Sequence, residues 1–136
     1  MRVFFDTNVL VSAFATRGLC AELFELVLLE HELIAGASVL RELAKALRRK
    51  IKLPAPRVEE IVEFVAGEAA QTIDEAAPMS ALDVDPDDAL VLGEALAGRA
   101  EVFVTGDAAL LRTETVESLQ IVSPRRFWEM LRSPGR

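Results

Sequence analysis

Acidic side chains follow two apolar runs of the chain at the points where strands are expected to end. Asp6 comes directly after the run 3–5, and Asp107 follows the run 102–104 after a Thr-Gly turn. Short apolar runs without alternation fit strands buried in a parallel sheet. Ligands of such sheets bind beyond the carboxyl ends of the strands, so both acids would share one edge if both strands are central and parallel. Each acid could instead only cap a following helix.

A third acid, Glu42, lies in the helix predicted over 39–49, for which Ser38 is the expected N-cap. From its spacing alone, Glu42 could be an exposed side chain that pairs with Lys45 or Arg49. It is therefore a candidate site residue with an ordinary surface role as its alternative.

A fourth acid lies in the Asp-Pro-Asp-Asp stretch 85–88, at the predicted start of another helix, where negative charge is favourable. Asp85 is the natural N-cap of this helix. Periodicity does not decide whether Asp87 or Asp88 points inward.

Carboxylates gathered in one place raise one another's pKa unless a cation neutralises them. Mg²⁺ prefers oxygen ligands and keeps several waters, so a few carboxylates suffice to hold it. The chain has one His and one Cys, too few for a zinc site. It has no motif for a Ser-His-Asp or Cys-His nucleophile, a phosphate-binding loop or a dinucleotide fingerprint. The acids therefore point to a hard divalent cation.

The elements that would position these acids alternate along the chain. Strands are predicted at 3–5, 32–35, 102–104 and 119–122, and helices near 21–30, 39–49, 54–68, 86–97 and from 124 onward. This alternation predicts an α/β fold, a three-layer α/β/α sandwich with a mainly parallel central sheet.

Length and composition predict one domain over 1–131 with a loose tail over 132–136. Hydrophobic residues make up 51% of the chain, enough for a core, and no apolar run is long enough for a membrane-spanning helix. The single cysteine, Cys20, cannot form an internal disulfide. Because no signal-peptide pattern is present, we expect a cytoplasmic protein without membrane attachment.

The net charge of −7 is unusual for a protein that binds nucleic acid. The charges are, however, unevenly distributed: segment 41–57 holds seven cations and one acid, and segment 71–101 holds eight acids and one cation. The first segment could attract phosphate and the second could hold cations. Their alternative is a solvated helix face and an acidic loop.

Four segments together resemble PIN-domain nucleases, and most closely the VapC-like toxins of bacterial toxin–antitoxin pairs. They are FFDTNVLVSAF, SVLRELAKAL, DPDDALVLGEAL and VFVTGDAALL, in the family's order and spacing over nearly the whole chain. The resemblance implies a PIN-like α/β/α fold and cleavage of RNA that depends on Mg²⁺ or Mn²⁺. It assigns the catalytic acids to Asp6, Glu42, Asp88 and Asp107.

The resemblance also marks Asn8 and Thr105 as polar neighbours of the site, and a mechanistic hypothesis gives the other residues roles. Asp6, Asp88 and Asp107 would bind the metal directly or through water, while Glu42 would hold a water ligand of the ion or act as a base. Asn8 and Thr105 would orient carboxylates by hydrogen bonds. Exposed cations would contact the RNA backbone: Arg48, Arg49, Lys50 and Lys52.

Two departures from the family pattern bear on the number of ions. Relatives often carry an acid in the turn after Asp107, where this chain has Ala108-Ala109, and an Asn where it has Ala89. The remaining carboxylates are enough to bind one ion, whereas binding of a second ion is in doubt. A cognate antitoxin protein and self-association as a homodimer are the partners that the resemblance implies.

Two other functions are compatible with the sequence. A Mg²⁺-dependent phosphatase with Asp6 as nucleophile would need a proton donor two positions on, where the chain has Asn8. A non-catalytic PIN fold that only binds RNA or protein would tolerate the missing acid near Asp107.

Overall fold

The computed structural model describes residues 1–79 and 84–132, in which the chain forms six strands and seven helices. The strands are β1 (Arg2–Phe5), β2 (Glu32–Gly36), β3 (Gln71–Ile73), β4 (Val102–Val104), β5 (Thr115–Val116) and β6 (Leu119–Val122). The helices are α1 (Thr7–Ala15), α2 (Leu19–Glu30), α3 (Ala37–Arg49), α4 (Ala55–Glu68), α5 (Pro86–Ala97), α6 (Ala108–Thr113) and α7 (Pro124–Arg132). None of these helices is long and apolar enough to cross a membrane.

All strands belong to one sheet, in the order β3-β2-β1-β4-β6-β5. Every pairing is parallel except the one between β5 and β6. From β1 the chain first builds the sheet outward through β2 and β3, and then returns to the other side of β1 with β4. The strand order therefore reverses between β1 and β4, and ligands of doubly wound sheets bind at such a reversal.

Helices cover both faces of the sheet, which gives a three-layer α/β/α sandwich. Crossovers between parallel strands are right-handed as a rule. Since the chain adds β2 and β3 in one direction along the sheet and β4 and β6 in the other, α1 to α4 belong to one face and α5 and α6 to the other. On the first face the ring of Phe5 packs against those of Phe24 in α2 and Phe127 in α7. The rings of Phe4 and Phe103 stack on each other across β1 and β4, with centroids 5.4 Å apart. This core holds the two strands that end at Asp6 and Asp107.

The predicted α/β class and parallel sheet are confirmed, and each of the four predicted strands is present. The end strands β3 and β5 were not predicted from the sequence. Only Ile73 is buried in β3 and only Val116 in β5, so neither strand has an apolar run that would reveal it. Helices α1 and α6 were also missed, although the sequence left open that Asp6 and Asp107 cap helices.

The predicted N-cap of α3 and the predicted start of the tail both need correction. Ser38 is not the N-cap of α3, because the helix already begins at Ala37 and Gly36 is its N-cap. Ser38 lies inside the first turn, and its side chain contacts α5. The predicted tail 132–136 starts one residue too early, since Arg132 ends α7. The rest of that tail, 133–136, lies outside the described residues.

Candidate active site

The ends of β1 and β4 bring Asp6 and Asp107 to one edge of the sheet. These strands are central, parallel neighbours with Phe5 opposite Val104, and the Asp6 backbone N–H continues the pairing by donating to the Val104 carbonyl at 2.9 Å. The side chain of Asp6 is buried, and that of Asp107 is half-buried. The condition set by the sequence, that both strands be central and parallel, is met.

Thr105 connects these two acids. Its hydroxyl donates to Asp6 Oδ2 at 2.7 Å and accepts the backbone N–H of Asp107 at 3.0 Å. The other carboxylate oxygen of Asp6, Oδ1, accepts from the Thr7 backbone N–H at 2.9 Å. Thr105 is fully buried, so this arrangement is part of the protein interior.

Both strand-end acids also cap helices. Asp6 is the N-cap of α1, and Asp107 is the N-cap of α6, where its Oδ1 accepts from Ala109 N at 2.8 Å and Leu110 N at 3.1 Å. Capping does not exhaust these carboxylates. Each oxygen of Asp6 accepts one bond and has a further lone pair, and the two capping bonds of Asp107 both go to Oδ1, which leaves its Oδ2 for a ligand. A structural and a ligand-binding role are compatible for both residues.

Asn8 differs from the expectation for it. Its Oδ1 accepts from the Gly106 backbone N–H at 3.3 Å. Within the described residues it makes no hydrogen bond to a carboxylate. Asn8 therefore holds the turn between Thr105 and Asp107, and it acts on these acids through the backbone.

Glu42 lies on α3 with an exposed side chain, and its Oε2 accepts from the Thr7 hydroxyl at 3.0 Å. No ion pair joins it to Lys45 or Arg49 in the part of the chain that the structure describes. Thr7 therefore contacts two acids, Asp6 through its backbone and Glu42 through its side chain. Sequence reasoning missed this residue, although it directly follows Asp6.

Of the two candidates at the start of α5, Asp87 is exposed and Asp88 is half-buried. Asp85 caps the helix by accepting from Asp87 N at 3.0 Å, as the sequence predicted. The pKa of Asp88 is raised from 3.8 to about 6, first by burial and then by repulsion from Asp107, Asp6, Asp85 and Glu42. Asp88 thus faces the other acids of the candidate site.

The pKa of Asp6 is also raised, mainly by burial. Hydrogen bonds from Thr105 and Thr7 oppose this shift, while repulsion from Glu42 and Asp107 adds to it. We call Asp6, Glu42, Asp88 and Asp107 the acidic group, since their charges act on one another although they are far apart in sequence. As the side chains stand, no three acidic, His or Cys groups among the described residues are close enough to ligate one ion.

Comparison with known proteins places this arrangement in a family. The sequence model of the PIN domain family matches residues 2–109. This chain belongs to the PIN domain family. A comparison with curated protein sequences found no match.

Three solved structures share the PIN fold. VapBC2 from Rickettsia felis, bound to a DNA fragment from its promoter, is 18% identical with a TM-score of 0.64, and the match covers 90% of this chain and 98% of that one. VapBC-1 from nontypeable Haemophilus influenzae is 15% identical with a TM-score of 0.65, covering 92% and 99%. FitAcB from Neisseria gonorrhoeae is 16% identical with a TM-score of 0.59, covering 90% and 98%. At these identities the likeness establishes the fold.

The predicted RNA-contacting cations lie at the end of α3 and just after it. Arg48, Arg49, Lys50 and Lys52 are all exposed. Arg49 is seven residues after Glu42 and therefore lies on the same helix face, about 10 Å along the axis. Arg48 points elsewhere and lines a groove between α3 and α4. This PIN domain thus has one predicted cation, Arg49, on the helix face of Glu42.

A buried acid of the same PIN domain escaped the sequence analysis. Glu94 on α5 is 2% exposed, and its carboxylate accepts hydrogen bonds from the backbone and hydroxyl of Ser38. In the sequence it is one of eight acids in a segment expected to be solvated or to hold cations. Its partner lies 56 residues earlier, so no local pattern could identify it.

Proposed function

We propose that this PIN domain is a metal-dependent endoribonuclease that hydrolyses RNA phosphodiester bonds. The observation that supports the proposal is that Asp6 and Asp107 lie at the reversal of strand order, and that burial and repulsion within the acidic group raise the pKa of Asp6 and Asp88. Such an arrangement is unfavourable for the protein alone and becomes favourable when a cation binds.

The donor atoms of the acidic group fit Mg²⁺ or Mn²⁺, because all of them are carboxylate oxygens. Asp6, Asp88 and Asp107 would hold the ion after small side-chain rotations, and the positive charge of the ion would offset their repulsion. A bound divalent ion would polarise the scissile phosphate and lower the pKa of an attacking water. We propose one ion, since the first turn of α6 has no acid to support a second.

Glu42 is the proposed general base. Its side chain is exposed, so it can reach a substrate, and the Thr7 hydroxyl fixes one of its oxygens. It would accept a proton from the water that attacks phosphorus. The bond from phosphorus to the leaving oxygen would break, and that oxygen would take a proton from solvent. Thr105 keeps Asp6 and Asp107 in place during this step by its two hydrogen bonds.

RNA would approach along the face of α3 that carries Glu42. Lys45 and Arg49 follow Glu42 by three and seven residues on this face, and both are exposed. Backbone phosphates would bind these cations, which positions the substrate without reading its sequence. Lys50 and Lys52 extend the positive charge beyond the helix.

Charge reversal on α3 tests this path. Arg49→Glu should raise KM for a short RNA by about tenfold, with a smaller change in kcat, because one phosphate contact is replaced by repulsion. Arg48→Glu is the matched control, since Arg48 faces the groove against α4. Equal effects of the two substitutions on KM would contradict a path along the Glu42 face.

We further propose that the chain is the toxin of a toxin–antitoxin pair. The motifs resemble VapC-like toxins, and two of the similar structures are of VapBC proteins. A cognate antitoxin would then silence the nuclease, and the chain would pair with itself as a homodimer. Co-expression with the protein encoded next to it should suppress both toxicity and RNA cleavage if this assignment holds.

The decisive experiment measures cleavage of a fluorescent RNA oligonucleotide by purified protein with Mn²⁺, with EDTA, and in the variants Asp107→Asn and Asp87→Asn. We expect cleavage that EDTA abolishes, a loss of about 10³-fold or more in Asp107→Asn, and near-normal cleavage in Asp87→Asn. The inactive variant also controls for contaminating nucleases. Retention of Mn²⁺-dependent cleavage in Asp107→Asn would refute the proposal.

Two outcomes would favour the alternatives. Calorimetry that detects no binding of Mn²⁺ or Mg²⁺ would favour a non-catalytic binding module. A trapped phospho-aspartate at Asp6 would favour the phosphatase, although Asn8 cannot transfer a proton and is engaged with the Gly106 backbone.

A further inference from the structure

The buried carboxylate of Glu94 joins two helices that each carry a member of the acidic group. Its Oε1 and Oε2 accept from the Ser38 backbone N–H at 3.3 and 3.2 Å, and Oε2 also accepts from the Ser38 hydroxyl at 2.7 Å. Glu94 is on α5, six residues after Asp88, and Ser38 is on α3, four residues before Glu42. The contact therefore joins the first turn of α3, which precedes Glu42, to the helix whose first turn carries Asp88.

Glu94 provides the side-chain N-cap that α3 does not have from its own residues. The first N–H groups of a helix have no partner within the helix. The N-cap of α3 is Gly36, which has no side chain to accept them. Glu94 reaches Ser38 N from another helix, and its negative charge is favourable at a helix N-terminus.

The glycine at the N-cap is itself required by this contact. A Cβ atom at Gly36 would overlap Glu94 Oε1, and it would also come close to the ring of Phe4. An ordinary Ser or Asp cap at this position would thus exclude Glu94. Gly36 therefore leaves α3 without a local capping side chain and makes room for the contact that joins α3 to α5.

We propose that Glu94 is a positioning residue that acts on catalysis through Glu42, an inference that rests on the proposed nuclease function. It fixes the start of α3 against α5, and so sets the place of Glu42 relative to Asp88. On the other side, Thr7 holds the Glu42 side chain to the start of α1, next to Asp6. Without Glu94 the Ser38 backbone N–H loses its partner, and the start of α3 loses this connection to the helix that carries Asp88.

A double-mutant cycle separates positioning from general damage to the fold. Glu94→Ala should lower kcat by about tenfold or more, because small displacements of a reacting group are costly. KM for the RNA and the Mn²⁺ dissociation constant measured by calorimetry should change less than about threefold, because Arg49 and the three metal-binding acids remain. In a Glu42→Gln background, Glu94→Ala should cause little further loss.

Glu94→Gln is the conservative variant and keeps the test valid if the alanine variant folds poorly. Its amide oxygen can still accept from Ser38 N, so we expect most of kcat to return. Equal kcat in the wild type and Glu94→Ala would overturn the positioning role, and so would a loss of the same size in both Glu42 backgrounds.

The wild-type controls distinguish this failure from that of the proposed function. A wild type that neither binds Mn²⁺ nor cleaves RNA would refute the nuclease assignment, and the positioning role with it. A wild type that does both, beside a fully active Glu94→Ala variant, would refute the positioning role alone.

Discussion

The acids at the strand ends and the acids on the helices are held in different ways. Asp6 has a hydrogen bond to each carboxylate oxygen, and Asp107 caps α6 with two. Glu42 has one, from Thr7, and Asp88 is half-buried and repelled by the other acids. Asp6 and Asp107, the strand-end pair, belong to the folded scaffold whether or not a cation is bound. The positions of Glu42 and Asp88, the helix-borne pair, depend on how α3 and α5 pack, and a cation would draw these two side chains inward.

The largest expected effect on stability comes from removing the support of the strand-end pair. Thr105→Val keeps the shape of the buried side chain but leaves Asp6 Oδ2 and the Asp107 N–H without their partner. Unpaired buried polar groups cost about 1–3 kcal/mol each, so the free energy of unfolding should fall by at least that much. Urea denaturation at pH 7.5 in EDTA measures the change.

Two controls sharpen this prediction. Thr105→Ser retains the hydroxyl and should recover most of the lost stability. Thr72→Val makes the same substitution on the exposed strand β3 and should change stability by no more than about 0.5 kcal/mol. If Thr105→Val and Thr72→Val were equally stable, the strand-end pair would not depend on Thr105, and the contrast with the helix-borne acids would fail.

The same contrast explains how much the sequence could predict. Asp6 and Asp107 could be placed from the residues alone, because each follows a buried strand and the topology of parallel sheets fixes where strand ends meet. Asp88 could be preferred over Asp87 only through the family resemblance, since both fit the first turn of a helix. Glu42 has an equally ordinary alternative as an exposed helical side chain.

The contacts that hold the helices were beyond prediction for a physical reason. Glu94 and Ser38 are 56 residues apart, and their hydrogen bonds exist only after α5 has packed on the sheet. Ser38 was expected to cap α3 because Ser is a frequent N-cap, but a residue from another helix has taken over that role. N-cap preferences predict the start of a helix only when the side chain that accepts its first N–H groups lies next to it in the sequence.

The smallest expected effect, and one of opposite sign, comes from the helix-borne pair. The pKa of Asp88 is about 6 in the folded protein and 3.8 for the same carboxyl group without these surroundings, so the folded state binds the proton more tightly. Stability is then lost as pH rises from about 4 to 6, and the ionised Asp88 destabilises the metal-free protein at pH 7.5. Asp88→Asn removes this charge and should raise the free energy of unfolding.

The size of this gain follows from how exposed Asp88 is. The full pKa difference corresponds to about 3 kcal/mol, but solvent screens a partly exposed carboxylate, so we expect about 1 kcal/mol and a rise in Tm of a few degrees. The gain should vanish below about pH 4, where Asp88 is neutral in both states.

Asp87→Asn, one residue earlier and exposed, should show no such gain at pH 7.5. With saturating Mn²⁺ the wild type should become more stable than Asp88→Asn, because the ion stabilises the wild type and the variant lacks one of the carboxylates that bind it. A destabilised Asp88→Asn in EDTA would mean that Asp88 is supported like Asp6, and that the two pairs do not differ.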